Sequence, residues 1–103
     1  MTADEFREIA LSFPGAEERS HMNHPDFRVG GKIFATLNED LSKGMVNLDA
    51  DRQQEYMLLD PSFHPASGAW GRKGSSMITL ATAQTDVVRS ALATAWQLRS
   101  TKK

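Results

Sequence analysis

Three groups of residues in this 103-residue chain could do chemistry. The first is the run His21, His24 and Asp26, an H-x-x-H-x-D spacing that His64 could join from a distant segment. Imidazole nitrogens with a carboxylate would suit zinc or iron(II). The spacing does not place both imidazoles on one helical face, and Pro25 inside the run argues for a turn. Hydrogen-bonded or solvent-facing histidines are therefore expected, with no metal and no other cofactor. The second group is Ser75 and Ser76 after Gly74, which lie in no G-x-S-x-G elbow. Gly30-Gly31-Lys32 and Gly71-Arg72-Lys73-Gly74 fit neither phosphate-cradling glycine pattern. Carboxylates in pairs, such as Glu17-Glu18, Glu39-Asp40 and Asp49 with Asp51, fall at turns or helix starts, where solvation and capping account for them. No catalytic residue is assigned, and the reading is non-enzymatic.

The third group sets bases beside aromatic rings: Phe27-Arg28, Lys32-Ile33-Phe34, and above all Trp70-Gly71-Arg72-Lys73-Gly74. Phe27 and Phe34 are expected in the core. Trp70 has two readings, a lid over the edge of a small core or a platform for a nucleobase. Arg72 and Lys73 are correspondingly a solvated loop tip or a pair of phosphate contacts.

Charge bears on that choice. Twelve Lys and Arg stand against thirteen Asp and Glu for a net −1, which excludes a uniformly basic nucleic-acid binder. The balance is a cancellation. Residues 1–60 carry six bases against twelve acids, −6, and residues 61–103 carry six against one, +5. Such asymmetry can place a basic face on a neutral protein. The absence of cysteine removes disulfides, thiolate nucleophiles and sulfur-ligated zinc. No apolar run reaches the length of a membrane span and the first ten residues do not form a secretory signal, so a cytoplasmic protein without a membrane partner is expected.

The elements that must position these residues read as one small domain spanning 1–103, in the order α-β-β-β-β-α-β-α. Thr2 and Glu5 have the spacing of a capping box, and Phe6, Ile9, Ala10 and Phe13 follow at helical intervals, giving a helix from Ala3 to Ser12 stopped by Pro14-Gly15. Strands are expected over Arg19–Met22, Asp26–Val29, Lys32–Leu37 and Gly44–Leu48, broken at Asn23-His24-Pro25, Gly30-Gly31 and Asn38-Glu39-Asp40. Gly30-Gly31 suits a two-residue hairpin turn, which needs positive φ twice. In the third strand Ile33, Ala35 and Leu37 should share one face. Asp49 can cap a second helix carrying Gln53, Tyr56, Met57 and Leu59 and ending near Asp60, before Pro61. Pro61–Ser76 reads as an ordered surface loop, or a loop with an edge strand. A strand over Met77–Ala81 follows, then a final helix from Thr85 or Asp86 with Val88, Leu92, Ala95 and Trp96 on one stripe and Lys102-Lys103 beyond its end.

The segment His24-Pro25-Asp26-Phe27-Arg28-Val29-Gly30-Gly31-Lys32-Ile33-Phe34-Ala35-Thr36-Leu37 resembles the MmcQ/YjbR-like family. So do Phe63-His64-Pro65-Ala66, Trp70-Gly71-Arg72-Lys73-Gly74 and the Phe13-Pro14-Gly15-Ala16-Glu17 end of the first helix. The resemblance implies a small α+β fold, an antiparallel sheet with helices packed on one side, of the double-wing type in the CyaY-like (frataxin-like) superfamily. It also implies a DNA-binding role, without a set of binding residues. Many members place an aromatic shortly after the Lys-Gly of the loop, where this chain has Ser75-Ser76-Met77.

The expected function is thus a small binding domain, a monomer, that contacts DNA through Arg28, Lys32, Trp70, Arg72, Lys73 and Arg89, with the glycine hairpin and the long loop as wings. The alternative is a module for another protein or a small ligand, with Trp70 and its loop as the docking patch. A third reading is metal binding.

Overall fold

In the computed structural model, which describes residues 1–100, helix α1 (Ala3–Leu11) opens the chain on the capping box its sequence announces. Glu5 N–H donates to Thr2 Oγ1 at 3.1 Å and Thr2 N–H donates to Glu5 Oε1 at 2.9 Å. Strands β1 (Glu17–His21), β2 (His24–Val29), β3 (Lys32–Leu37) and β4 (Lys43–Asn47) follow, then helix α2 (Ala50–Leu59). The stretch from Pro61 to Ser76 is ordered and carries an edge strand, as its composition allows, with a short helix in addition. It holds edge strand β5 (Phe63–Pro65), short helix α3 (Gly68–Lys73) and the start of β6 (Ser75–Thr79). A 3₁₀ turn (Leu80–Thr82) leads to helix α4 (Thr85–Ser100). Lys102 and Lys103 lie outside the described residues.

The six strands form one sheet in the order β1-β2-β3-β4-β6-β5, antiparallel at every step. Two of its hairpins use turns with two consecutive positive φ values. Gly30 and Gly31 do so at 58° and 80°, as expected, and Met22 and Asn23 do so at 50° and 69°. The first break is therefore Met22-Asn23, not Asn23-His24-Pro25. Closing that turn on the pair His21–His24 makes Ser20–Pro25 a non-hydrogen-bonded pair, so the missing proline N–H costs the β1–β2 ladder nothing.

A register shift corrects the reading of β3. Phe27 pairs with Ala35 but Arg28 pairs with Ile33, so Phe34 is an extra residue in a bulge. The phase of the strand changes there. Phe34, Ala35 and Leu37 are buried in the core, and Ile33 is turned to the opposite face with Thr36.

The core lies between the sheet and α1, α2 and α4. Phe6, Ile9 and Ala10 from α1 and Val88, Ala91, Leu92 and Ala95 from α4 meet Phe27, Phe34, Leu37, Val46 and Ile78 from the sheet. Helix α2 joins the same layer: Tyr56 stacks on Phe63 at 5.6 Å, and its hydroxyl bonds Ser90 at 2.7 Å and Thr94 at 3.1 Å on α4. At the C-terminal half of α4, Trp96 stacks on Phe13 at 5.7 Å and its Nε1–H donates to the Pro14 carbonyl at 2.9 Å.

Candidate functional site

With the helices on one side, the other face of the sheet is left open. Alternation along the strands, shifted in β3 by the bulge at Phe34, puts Ile33 and Thr36 of β3, Met45 and Asn47 of β4, and Ser75 and Met77 of β6 on that face. They floor a hollow of about 580 Å³, bounded by His21 on one side and by Ala66, Ser67 and Trp70 on the other. A second hollow of about 610 Å³ continues from it along the strands, sharing Thr36, Met45 and Met77 and bordered by Met22, His24, Asn38, Glu39 and Asp40. The two make a trough with an apolar floor. Asn47 contributes little free polarity, since its Nδ2 donates to the Ile33 carbonyl at 2.9 Å and its Oδ1 accepts from Ser75 Oγ at 2.7 Å.

Trp70 is set into the wall of this trough by a short helix that the chain holds firmly. A Cβ at Gly74, where φ is +124°, would overlap the Leu48 carbonyl oxygen, and one at Gly71 would overlap that of Ala66, so both glycines permit close approach. The buried amide of Gln53, reaching from α2, donates to the carbonyls of Gly71 at 2.9 Å and Ser75 at 3.1 Å. On this fixed support the Trp70 side chain remains 70% exposed. Lys73 Nζ stands 5.7 Å from its ring centroid. Beyond Trp70 a smaller hollow of about 250 Å³ is lined by Lys73 and Arg99 together with Leu48, Asp49, Ser75 and Leu98.

The candidate cations are distributed unevenly. Lys32 at the Gly30-Gly31 hairpin, and Arg72 and Lys73 on α3, occupy the same end of the sheet, exposed and without an ion pair among the described residues. Arg99 joins them from the last turn of α4. Arg28 is committed elsewhere. Its Nε donates to Asp26 Oδ1 at 2.8 Å and its Nη2 to Oδ2 at 3.1 Å. Arg89 lies at the opposite end of the molecule, sharing a hollow with Glu5 and Glu8.

The histidine run also resolves. Asp26 is fully buried, and His21 Nδ1 lies 2.6 Å from its Oδ2, so both carboxylate oxygens are engaged. The hydrogen bond from Arg28, helped by His21 and opposed by burial, holds the Asp26 carboxyl below the ordinary carboxylate range. His24 packs edge-on against His21 at 4.4 Å, its Nδ1 buried with no hydrogen-bond partner among the described residues. His64 does not join them, because β5 is at the opposite edge of the sheet from β1. Among the described residues no three His, Cys, Asp or Glu side chains are grouped to hold a metal ion.

An antiparallel six-stranded sheet with a helical layer on one face and an open trough on the other defines a small α+β domain with a preformed surface site. The chain belongs to the YjbR family, whose profile matches residues 11–98. Among solved structures it is similar to a Deinococcus radiodurans protein of the DUF419 domain family, with a TM-score of 0.81 and 21% identity over 98% of this chain and 80% of that one. That likeness concerns the fold. No curated protein matches the chain. No helix among the described residues is long and apolar enough to cross a membrane.

Proposed function

We propose that this YjbR-family chain is a non-enzymatic, cytoplasmic nucleic-acid-binding module, with Lys32, Arg72, Lys73 and Arg99 contacting phosphates around Trp70. The observation that carries the reading is an exposed indole on a clamped helix, flanked by Lys73 and Arg99, which make no ion pair among the described residues. Cations held in internal ion pairs would gain less from a phosphate, because an existing partner must first be lost. Among the described residues these four have no ion pair to lose. Helix α3 and the Gly30-Gly31 hairpin then act as the two projections on either side of the site.

Titration of labelled duplex and single-stranded DNA at several salt concentrations tests this. Four neutralised phosphates predict a slope of log affinity against log salt of about −3.6 on duplex and about −2.8 on a single strand. No binding of either at about 50 mM salt would reject the reading, in favour of a domain whose trough serves a small ligand or a protein.

A further inference from the structure

A nucleic-acid strand is amphiphilic in a repeating way, with flat bases on one side and phosphates on the other. The open face has the matching division. Its first hollow offers Ile33, Met45 and Met77 as floor and Trp70 as wall, surfaces that suit a flat aromatic ring, and methionine sulfur adds favourable contacts at ring edges. Its volume of about 580 Å³ is that of a site for small organic groups, about 300–1,000 Å³. Lys73 and Arg99, with Asp49, line the smaller hollow that adjoins it beyond Trp70. The continuing hollow is bordered by Glu39 and Asp40, which repel a phosphate.

Resting on the nucleic-acid reading above, we infer that the first hollow seats unstacked bases, so that the preferred partner is a single strand. A duplex keeps its base faces inside the stack and presents only edges and backbone, neither of which can lie on an apolar sheet floor. A single strand can turn one or more bases onto Trp70 and the methionines while its phosphates remain with Lys73 and Arg99 beyond the indole. The acidic border ends the site before the Met22-Asn23 turn. Because the Asn47 amide is already bonded to Ile33 and Ser75, the floor has few groups left to read base edges, and binding is tolerant of sequence.

The test compares three labelled probes by anisotropy: an oligothymidylate of about eight nucleotides, within the usual range of single-strand sites, an abasic oligomer with the same number of phosphates, and a duplex of the same length. The oligothymidylate is expected to bind roughly five- to hundredfold more tightly than the abasic oligomer for each base stacked, and more tightly than the duplex. Trp70→Ala and Met77→Ala each narrow that gap while leaving affinity for the abasic oligomer unchanged. Thermal melts confirm that both variants fold, and Trp70 is exposed enough for its truncation to spare the core. Equal binding of the base-bearing and abasic oligomers overturns the base seat and leaves the nucleic-acid reading standing. Failure of all three probes to bind overturns both.

Discussion

Asp26 is a charged residue in a place where charge is costly, and its neighbours explain why it persists. Arg28 grips it with two hydrogen bonds and His21 adds a third, so both oxygens of the fully buried carboxylate are engaged. Asp60 is a second case: burial pushes its carboxyl up, and the backbone N–H groups of Gln84 and Ser62 more than offset this, leaving it below the ordinary value. A carboxylate with a depressed pKa in the folded state stabilises the protein at pH above its unfolded pKa of about 3.9, and that stability is lost as the pH falls through the folded value. The prediction is a stability that declines below about pH 4, with Asp26→Asn lowering stability at neutral pH by about 1–3 kcal/mol and flattening the acid limb. Urea midpoints measured across that range would show it, and equally steep acid limbs in both proteins would refute it. The sequence displayed this cluster as possible metal ligands because spacing lists donors without saying which are already used. Arg28, which looked like a phosphate contact beside Phe27, is the residue that uses up Asp26.

At the scale of elements, legibility followed the strength of local signals. The capping box of α1, the Gly30-Gly31 turn and the Asp49 cap of α2, whose Oδ1 accepts from Arg52 N–H at 2.9 Å, are each set by residues adjacent in sequence and were readable there. The β3 bulge was not, because Ile33-Phe34-Ala35 is apolar throughout and fits either phase of a strand. Helix α3 was hidden too, since six residues containing two glycines carry no helical periodicity. What stabilises α3 is long-range: Gln53, a polar residue in the buried stripe of α2, bonds a carbonyl on α3 and another at the start of β6. Gln53→Leu would remove that donor from both carbonyls, each of which keeps a backbone N–H, from Gly74 and from Ala66, and should cost about 0.5–1.5 kcal/mol per lost bond, a fall in melting temperature of roughly 4–8 °C per kcal/mol for a domain of this size. Nucleic-acid affinity should fall with it, because Trp70 loses its support. A melting temperature within about a degree of the parent's would mean that the clamp is not what holds the helix.

Over the whole molecule the charges separate only in part along the strand direction. Lys32, Arg72, Lys73 and Arg99 occupy the end marked by the Gly30-Gly31 hairpin, together with Glu17 and Asp49, and Glu39, Asp40, Glu5, Glu8 and Asp86 the other, with Lys43 and Arg89 among them. The split between the two halves of the sequence pointed toward this, but only the fold could move Lys32 from the acidic half to the basic end. Lys32→Ala is accordingly expected to weaken binding and to reduce the salt slope by about 1, whereas Arg89→Ala leaves both unchanged. A slope that drops equally for the two variants would place the contact surface elsewhere. The two tryptophans, finally, sit in opposed surroundings: Trp96 is stacked on Phe13 and hydrogen-bonded to Pro14, and Trp70 stands in solvent at the trough. Emission from the partly buried indole follows the docking of α4, and the more readily iodide-quenched emission from the other is expected to follow occupancy of the open face. The protein thereby carries separate optical reporters for folding and for binding, distinguishable without any added label.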